Sequence, residues 1–437
     1  MTDDTYLAVL DYLYQQLPMF QRQGAVAFKK DLTNTLKLCK VLGNPQNKFT
    51  SIHIAGTNGK GTTSHILSAI FQAAGYTVGV YTSPHYLDIR ERIKINNKLI
   101  PKERLISFVE KLKPHLKDIK PSFFEMMVAM AFDYFAEEKV DIAIIETGLG
   151  GRLDSTNVLY PTLSVITNIS YDHQDMLGET LSEIAAEKAG IIKSGVPVVI
   201  GETQEEIKHV FIEKASLLNA PIFFADQSWS YVIKFSGLDH YILDIIAGDK
   251  VVFSAVKVDL KGEILLKNMI TAIKTVIEWN VNNAPILPQH IISGLANIRE
   301  LTYFIGRMQV LGSAPLLIAD SAHNQDGLSA LFSEIERLQY EQLHIVFGMV
   351  ADKPIDKIID TLPKKATYYA VAAEIPRAKP ASKLFQELQI HGFDVLQGNS
   401  VENGKKMALR QSNPEDLVLI CGSIFVVAEL AELSTSL

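Results

Sequence analysis

The chain has 437 residues, 47% hydrophobic and 21% charged, ordinary composition for a globular protein of two or three domains. Forty-two Lys and Arg against 49 Asp and Glu give a net charge of −7, which excludes the basic field of a general nucleic-acid binder but leaves room for a local cationic phosphate pocket. Cys39 and Cys421 cannot build a disulfide framework, so the expected compartment is the reducing cytoplasm. The start, Met1-Thr2-Asp3-Asp4, is acidic and lacks the apolar run of a signal peptide. The most apolar stretch, 417–433, is broken by Gly422, Ser423 and Glu429 and reads as strand, turn and helix instead of a membrane span.

From Thr50 to about Ile200, short β-branched runs alternate with helical stretches. Strands are predicted at 51–55, 77–81, 141–146, 163–167 and 197–200, and helices at 61–74, 101–116, 122–137 and 181–192. That rhythm reads as βαβ units around a mostly parallel sheet. Between about Trp229 and Leu260 the pattern changes to strands at 231–235, 241–246 and 251–258 separated by Gly-Asp turns, an antiparallel meander. Helices follow at 263–279 and 288–297. The βα alternation then restarts, with strands at 316–319, 343–347, 366–371 and 417–421. A second α/β domain is therefore expected from residue 299 onward, giving domains 1–298 and 299–437.

The strongest chemical signal is Gly56-Thr57-Asn58-Gly59-Lys60-Gly61-Thr62, which directly follows a strand and opens a helix. Glycines let backbone N–H groups turn inward around an anion, and the helix N-terminus adds positive potential. Lys60 is placed to reach β- and γ-phosphates, and Thr62 to approach the Mg²⁺ of a nucleotide. Two residues separate Gly56 from Gly59, fewer than the four of the common pattern. Glu146 ends a strand at the sheet edge where ligands of open α/β sheets bind, and suits a hard cation as well as a surface position. The glycine-rich segment that follows it, 147–154, includes Leu153 and Asp154. His173 follows another strand at the same edge, where a loop histidine also has structural uses. Lys188 shares a helical stripe with Leu181, Ile184, Ala185, Ile191 and Ile192. A lysine on an apolar face must snorkel, pair or be modified. In the C-terminal half, Arg307, Asp320, His323 and Ser423 lie beside strand ends, where Asp320 and Ser423 equally suit helix caps.

Seven stretches, in order, resemble the folylpolyglutamate synthase and dihydrofolate synthase family, within the Mur-type amide-forming ligases. They are HIAGTNGKGT (53–62), YTSPH (81–85), RERI (90–93), ETGLGGRLDSTNV (146–158), ITNISYDHQDMLGETLSEIAAEKAGIIKSGVPVV (166–199), DSAHNQDG (320–327) and FGMVADKP (347–354).

The resemblance implies a P-loop ATPase domain with a mostly parallel sheet and a small antiparallel sheet, followed by a smaller Rossmann-like α/β domain that brings L-glutamate. It also implies ATP-dependent addition of L-glutamate to folates, and to dihydropteroate, through an acyl phosphate, by a cytoplasmic monomer with its active site between the domains. Gly56, Thr57, Asn58, Gly59, Lys60, Gly61 and Thr62 match the family's ATP loop, and Asn268, Arg307 and Asp320 its other nucleotide contacts. Ser83, Glu146, His173 and Lys188 match metal ligands for two Mg²⁺ sites, with Lys188 carried as a carbamate, and Lys60, His173 and Lys188 form the catalytic set. Ser122, Phe123, Phe124, Leu153, Asp154, His323 and Ser423 fall on the substrate side. Ile264 and Leu265 stand where the family usually has a polar pair before Asn268, and no Trp-Pro precedes Gly306. Two alternatives are a cell-wall Mur ligase, disfavoured because only about 50 residues precede the loop, and a non-catalytic nucleotide-binding relative.

Overall fold

The computed structural model describes residues 2–19 and 31–434. It divides into two units: unit 1 holds 1–235, 242–259 and 265–302, and unit 2 holds 236–241, 260–264 and 303–437. The main crossing falls after Thr302, because the short helix Ile298–Thr302 stays with unit 1. Three of its carbonyls are capped by side chains of unit 1: Asn97 donates to Glu300, Gln72 to Leu301 and Lys94 to Thr302.

In unit 1, β1 (Ser51–Ala55), β2 (Val78–Tyr81), β3 (Ile93–Ile95), β4 (Lys98–Leu99), β5 (Ile142–Glu146), β6 (Leu163–Ile166), β7 (Val198–Ile200) and β8 (Ile222–Phe224) form one sheet. Its order is β4-β3-β2-β5-β1-β6-β7-β8. The six strands from β2 to β8 are parallel, and β3 and β4 add an antiparallel edge. The central strands are wholly buried, which explains why they read as continuous apolar runs. One face packs on the helices Thr2–Gln16, Lys102–Ile119 and Phe123–Glu137 through a core that includes Leu13, Phe108 and Phe132. A second core, with Ile166, Ile184, Ile191 and Phe211, lies on the side of β6 and β7. β9 (Trp229–Ser236), β10 (Tyr241–Ala247) and β11 (Lys250–Val258) make the small antiparallel sheet.

Unit 2 is built on β12 (Gln309–Ser313), β13 (Leu316–Ala319), β14 (Leu343–Phe347), β15 (Thr367–Ala372), β16 (Asp394–Ser400) and β17 (Leu417–Cys421). The order is β12-β13-β17-β14-β15-β16, parallel except for the antiparallel β12. The architecture is the α/β class expected, with a mostly parallel sheet, a small antiparallel sheet and a second, mixed-sheet domain. Among the described residues, no helix is long and apolar enough to cross a membrane.

Candidate active site

Parallel pairing brings the carboxyl ends of β2, β5, β1 and β6 to one edge, where ligands of such sheets bind. The loop 56–59 leaves β1 there and enters the helix Lys60–Ala73. Gly59 caps that helix at φ 83, a left-handed conformation that favours glycine. A Cβ at Gly56 would lie 1.8 Å from Thr167 Oγ1, and one at Gly59 would lie 2.2 Å from Asn268 Oδ1. The glycines are therefore required by close approach as well as by conformation. Asn268 is buried, and its Nδ2 has no hydrogen-bond partner among the described residues. A buried amide donor left unpaired is costly, and a ligand acceptor at this position would satisfy it.

Two cations meet at the loop. Lys60 Nζ donates to the carbonyl of Gly56 at 3.0 Å and to that of Thr57 at 3.2 Å. Lys188 Nζ donates to the same Gly56 carbonyl at 2.9 Å. Lys188 lies on the buried face of the helix Leu181–Ala189, beside Ile184 and Ala185, as its apolar stripe predicts. Burial first, then the neighbouring charge of Lys60, pushes the Lys188 ammonium down to about 7. Two like charges on one oxygen repel in a partly dry site, and an anion between them would relieve the repulsion.

Glu146 closes β5, and its Oε2 accepts from the Ser83 N–H at 3.1 Å, beyond the end of β2. The carboxylate also lies against the phosphate loop, since a Cβ at Gly61 would be 3.7 Å from Oε2. Ser83, Glu146 and Gly61 are thus brought together. His173 lies beyond β6 at φ 52, heads the one-turn helix Gln174–Leu177, and has its ring 3.9 Å from Asp172. Thr62 is buried in the first turn of the loop's helix. Among the described residues, no three His, Cys, Asp or Glu side chains form a metal cage.

Further along the chain from Glu146, Asp154 is buried and organises its own loop. It accepts from the N–H groups of Gly148 and Leu149 at 2.9 and 2.8 Å, and from Thr156. Burial raises its carboxyl, and these bonds oppose the shift. Leu153 beside it is half-buried. Phe124 packs on Gly148, where a Cβ would be 2.4 Å from its ring. Phe123 is buried under the Arg92 guanidinium, 5.4 Å from the ring centre. Ser122 caps the helix Phe123–Glu137 in a reciprocal box with Glu125.

In unit 2 the predicted residues gather at the carboxyl ends of β13 and β17. Asp320 accepts from Met308 N–H and Ala322 N–H, both at 2.8 Å, and faces Arg307 Nη1 at 3.5 Å. His323 Nδ1 lies 3.0 Å from the Ser321 carbonyl. Ser423 caps the helix Ile424–Ala428, accepting from Phe425 N–H.

Sequence reasoning missed three residues that shape unit 1. Asn168, just past β6, takes the Asn58 N–H on Oδ1 at 2.9 Å and the Thr57 N–H on its carbonyl at 2.9 Å. Glu202, just past β7, accepts from Asn168 Nδ2. Lys94 on β3 is buried and pushed down to about 8 by that burial. The signal for the first two was available, since both follow strands that end at the same edge.

Residues 54–276 match the Mur ligase middle domain, and residues 306–424 match the Mur ligase glutamate ligase domain. The chain is 33% identical over 421 residues to the dihydrofolate synthase/folylpolyglutamate synthase of Bacillus subtilis, covering 92% of this chain and 94% of that one. It is 32% identical to a probable bifunctional folylpolyglutamate synthase/dihydropteroate synthase of Haloferax volcanii, covering 90% of this chain and 47% of that longer one. The solved structure of Escherichia coli FolC in complex with DHPP and ADP superposes with a TM-score of 0.86 at 27% identity, covering 99% of this chain and 98% of that chain. Taken with the phosphate loop and the two domain matches, these likenesses show that the chain belongs to the folylpolyglutamate synthase and dihydrofolate synthase family of Mur-type ligases.

Proposed function

We propose that the protein is an ATP-dependent ligase that joins L-glutamate to folates, and that it also accepts dihydropteroate. One observation carries the ATP half of this reading: Lys60 and Lys188 converge on the Gly56 carbonyl beside a glycine-lined loop and an unsatisfied Asn268 amide. That arrangement is built for a polyphosphate. The E. coli relative carries ADP, and the name of the B. subtilis relative gives both folate activities.

In the reaction, a carboxylate oxygen of the folate attacks the γ-phosphorus of ATP. The bond to the β–γ bridging oxygen breaks, and ADP leaves. The glutamate amine then attacks the acyl carbon, loses a proton, and displaces phosphate as the amide forms. Both partners of the first step are anions, so the site must offset their repulsion. Lys60 neutralises charge on the transferring phosphoryl group, and the N–H groups at the start of its helix orient it. Asn268 donates Nδ2 to the nucleotide.

Ser83, Glu146 and His173 would hold Mg²⁺, with oxygen donors at two of the three positions. When bound, the ion supplies further charge neutralisation on the phosphates. Lys188, pushed toward neutrality, is able to add CO₂ and lose a proton to become a carbamate, which would complete a second Mg²⁺ site. We assign unit 1 to nucleotide and folate binding and unit 2, whose main part begins after Thr302, to glutamate delivery. In unit 2, we assign Arg307 and Asp320 to nucleotide contacts and His323 and Ser423 to the incoming glutamate. Phe124, Leu153 and Asp154 border the pterin.

Purified protein should release ADP from ATP and Mg²⁺ only when glutamate and a folate or dihydropteroate are both present. ATP that is bound but not consumed with any such pair would overturn the reading in favour of a non-catalytic relative. Comparing tetrahydrofolate with dihydropteroate in the same assay decides whether both activities are present.

A further inference from the structure

We infer that Glu202 is a positioning residue for the nucleotide, fixing the spacing between the phosphate loop and Asn268 through its carboxylate. The inference rests on the reading of unit 1 as an ATP site.

Glu202 follows Gly201 at the end of β7. A Cβ at Gly201 would lie 2.5 Å from the Thr167 carbonyl oxygen and 2.6 Å from Thr271 Oγ1. The bare backbone therefore lets the helix Glu263–Asn282 close onto the ends of β6 and β7. The two carboxylate oxygens then serve different partners: Oε1 accepts from Asn168 Nδ2 at 3.1 Å, and Oε2 accepts from Lys267 Nζ at 2.8 Å. Asn168 holds the N–H groups of both Thr57 and Asn58, and Lys267 precedes Asn268, which fills the space beside Gly59. The contacts close a ring around the loop: Asn58, Asn168, Glu202, Lys267, Asn268, Gly59.

The Asn168 amide has two ends, and only its oxygen can accept from Asn58 N–H. Donation of Nδ2 to a carboxylate fixes that orientation with a charge-assisted bond. The Lys267 pair is weaker, because its ammonium is half exposed. Glu202 therefore acts mainly through Asn168 and secondarily through Lys267.

The test is calorimetric ADP binding in Mg²⁺ with steady-state kinetics on the full chain. Glu202→Ala should raise the ADP Kd and the KM for ATP about tenfold, with kcat and the glutamate KM within about twofold. Glu202→Gln, whose amide oxygen still accepts from Asn168, should recover most of the binding, and Lys267→Met should cost about two- to threefold. Should Glu202→Ala not fold, Asn168→Asp provides the same test, since it faces Glu202 with a second anion and should weaken ADP by at least about tenfold. Wild-type affinity in Glu202→Ala or in Asn168→Asp would overturn the inference alone. So would a parallel loss of kcat, glutamate KM and thermal stability, the mark of a merely structural role. Failure of the wild-type protein to bind ADP would overturn the ATP reading and the inference with it.

Discussion

The two clusters of candidate residues differ in how far the protein itself satisfies them. In unit 1, two ammonium groups share one carbonyl oxygen, and a buried amide donor has no partner among the described residues. In unit 2, Asp320 already has partners: two backbone N–H groups and a guanidinium face its two oxygens. The first cluster is electrostatically incomplete without a ligand. The second already pairs its carboxylate within the protein, and it fixes the segments before β12 and after β13. Groups held in unfavourable electrostatics are characteristic of binding and catalytic sites, whereas satisfied buried networks stabilise the fold.

Substitutions should therefore separate activity from stability differently in the two units. The largest effect is expected at Lys60. Lys60→Met should lower kcat/KM for ligation by about 10³-fold, by loss of charge stabilisation in the transition state. The unliganded protein should melt at the same temperature or higher, because one of two repelling cations is gone. A clear fall in Tm would break the contrast.

Next in size is Lys188→Ala, expected to lower turnover by about 10²-fold, with partial recovery in acetate if a carboxylate is what the site lacks. Wild-type turnover in this variant would sink the carbamate role. In unit 2 the pattern inverts. Asp320→Ala strands the N–H groups of Met308 and Ala322, and should destabilise the protein by about 2–3 kcal/mol in urea unfolding. Unchanged stability would place Asp320 with the unit 1 residues instead.

The smallest effect is a pH slope. His53 is wholly buried in β1, where desolvation, then Lys193, pushes it down from 6.5 to about 3. The unfolded chain then takes up this proton first as pH falls. The stability tied to neutral His53 is complete above pH 6.5 and is lost between 6.5 and 3. Unfolding at pH 7 and pH 5 should show a slope near pH 5 approaching about 1.4 kcal/mol per pH unit from this group, and His53→Gln should flatten it. An unchanged slope in the variant would show that His53 is not the group responsible.

Much of this was legible in the sequence because buried parallel strands are continuous apolar runs. β1, β13, β14 and β17 fall at the predicted residues. Strands exposed on one side were harder to see. β16 carries Asp394, Gln397, Asn399 and Ser400, and β12 is interrupted by a register shift between Val310 and Gly312, so neither presents an apolar run. The helix of Lys188 was legible from its stripe, although it ends at Ala189, with Gly190 as its C-cap, instead of at Ile192.

In the site, glycine spacing and strand ends pointed to the loop and to Glu146. The pairing of Glu202 with Asn168, 34 residues apart, depends on β6 and β7 being neighbours, which no local pattern encodes. Likewise, nothing local distinguishes Asp154, which ties down Gly148 and Leu149, from a residue that faces a substrate.

The central claim is that the incomplete cluster of unit 1 transfers a phosphoryl group to a carboxylate before the amide forms. Folate labelled with ¹⁸O in the reacting carboxylate, turned over with ATP and glutamate, tests it most directly. Transfer of one labelled oxygen into the released inorganic phosphate is the expected result. Phosphate released without label, while amide product accumulates, would contradict the account.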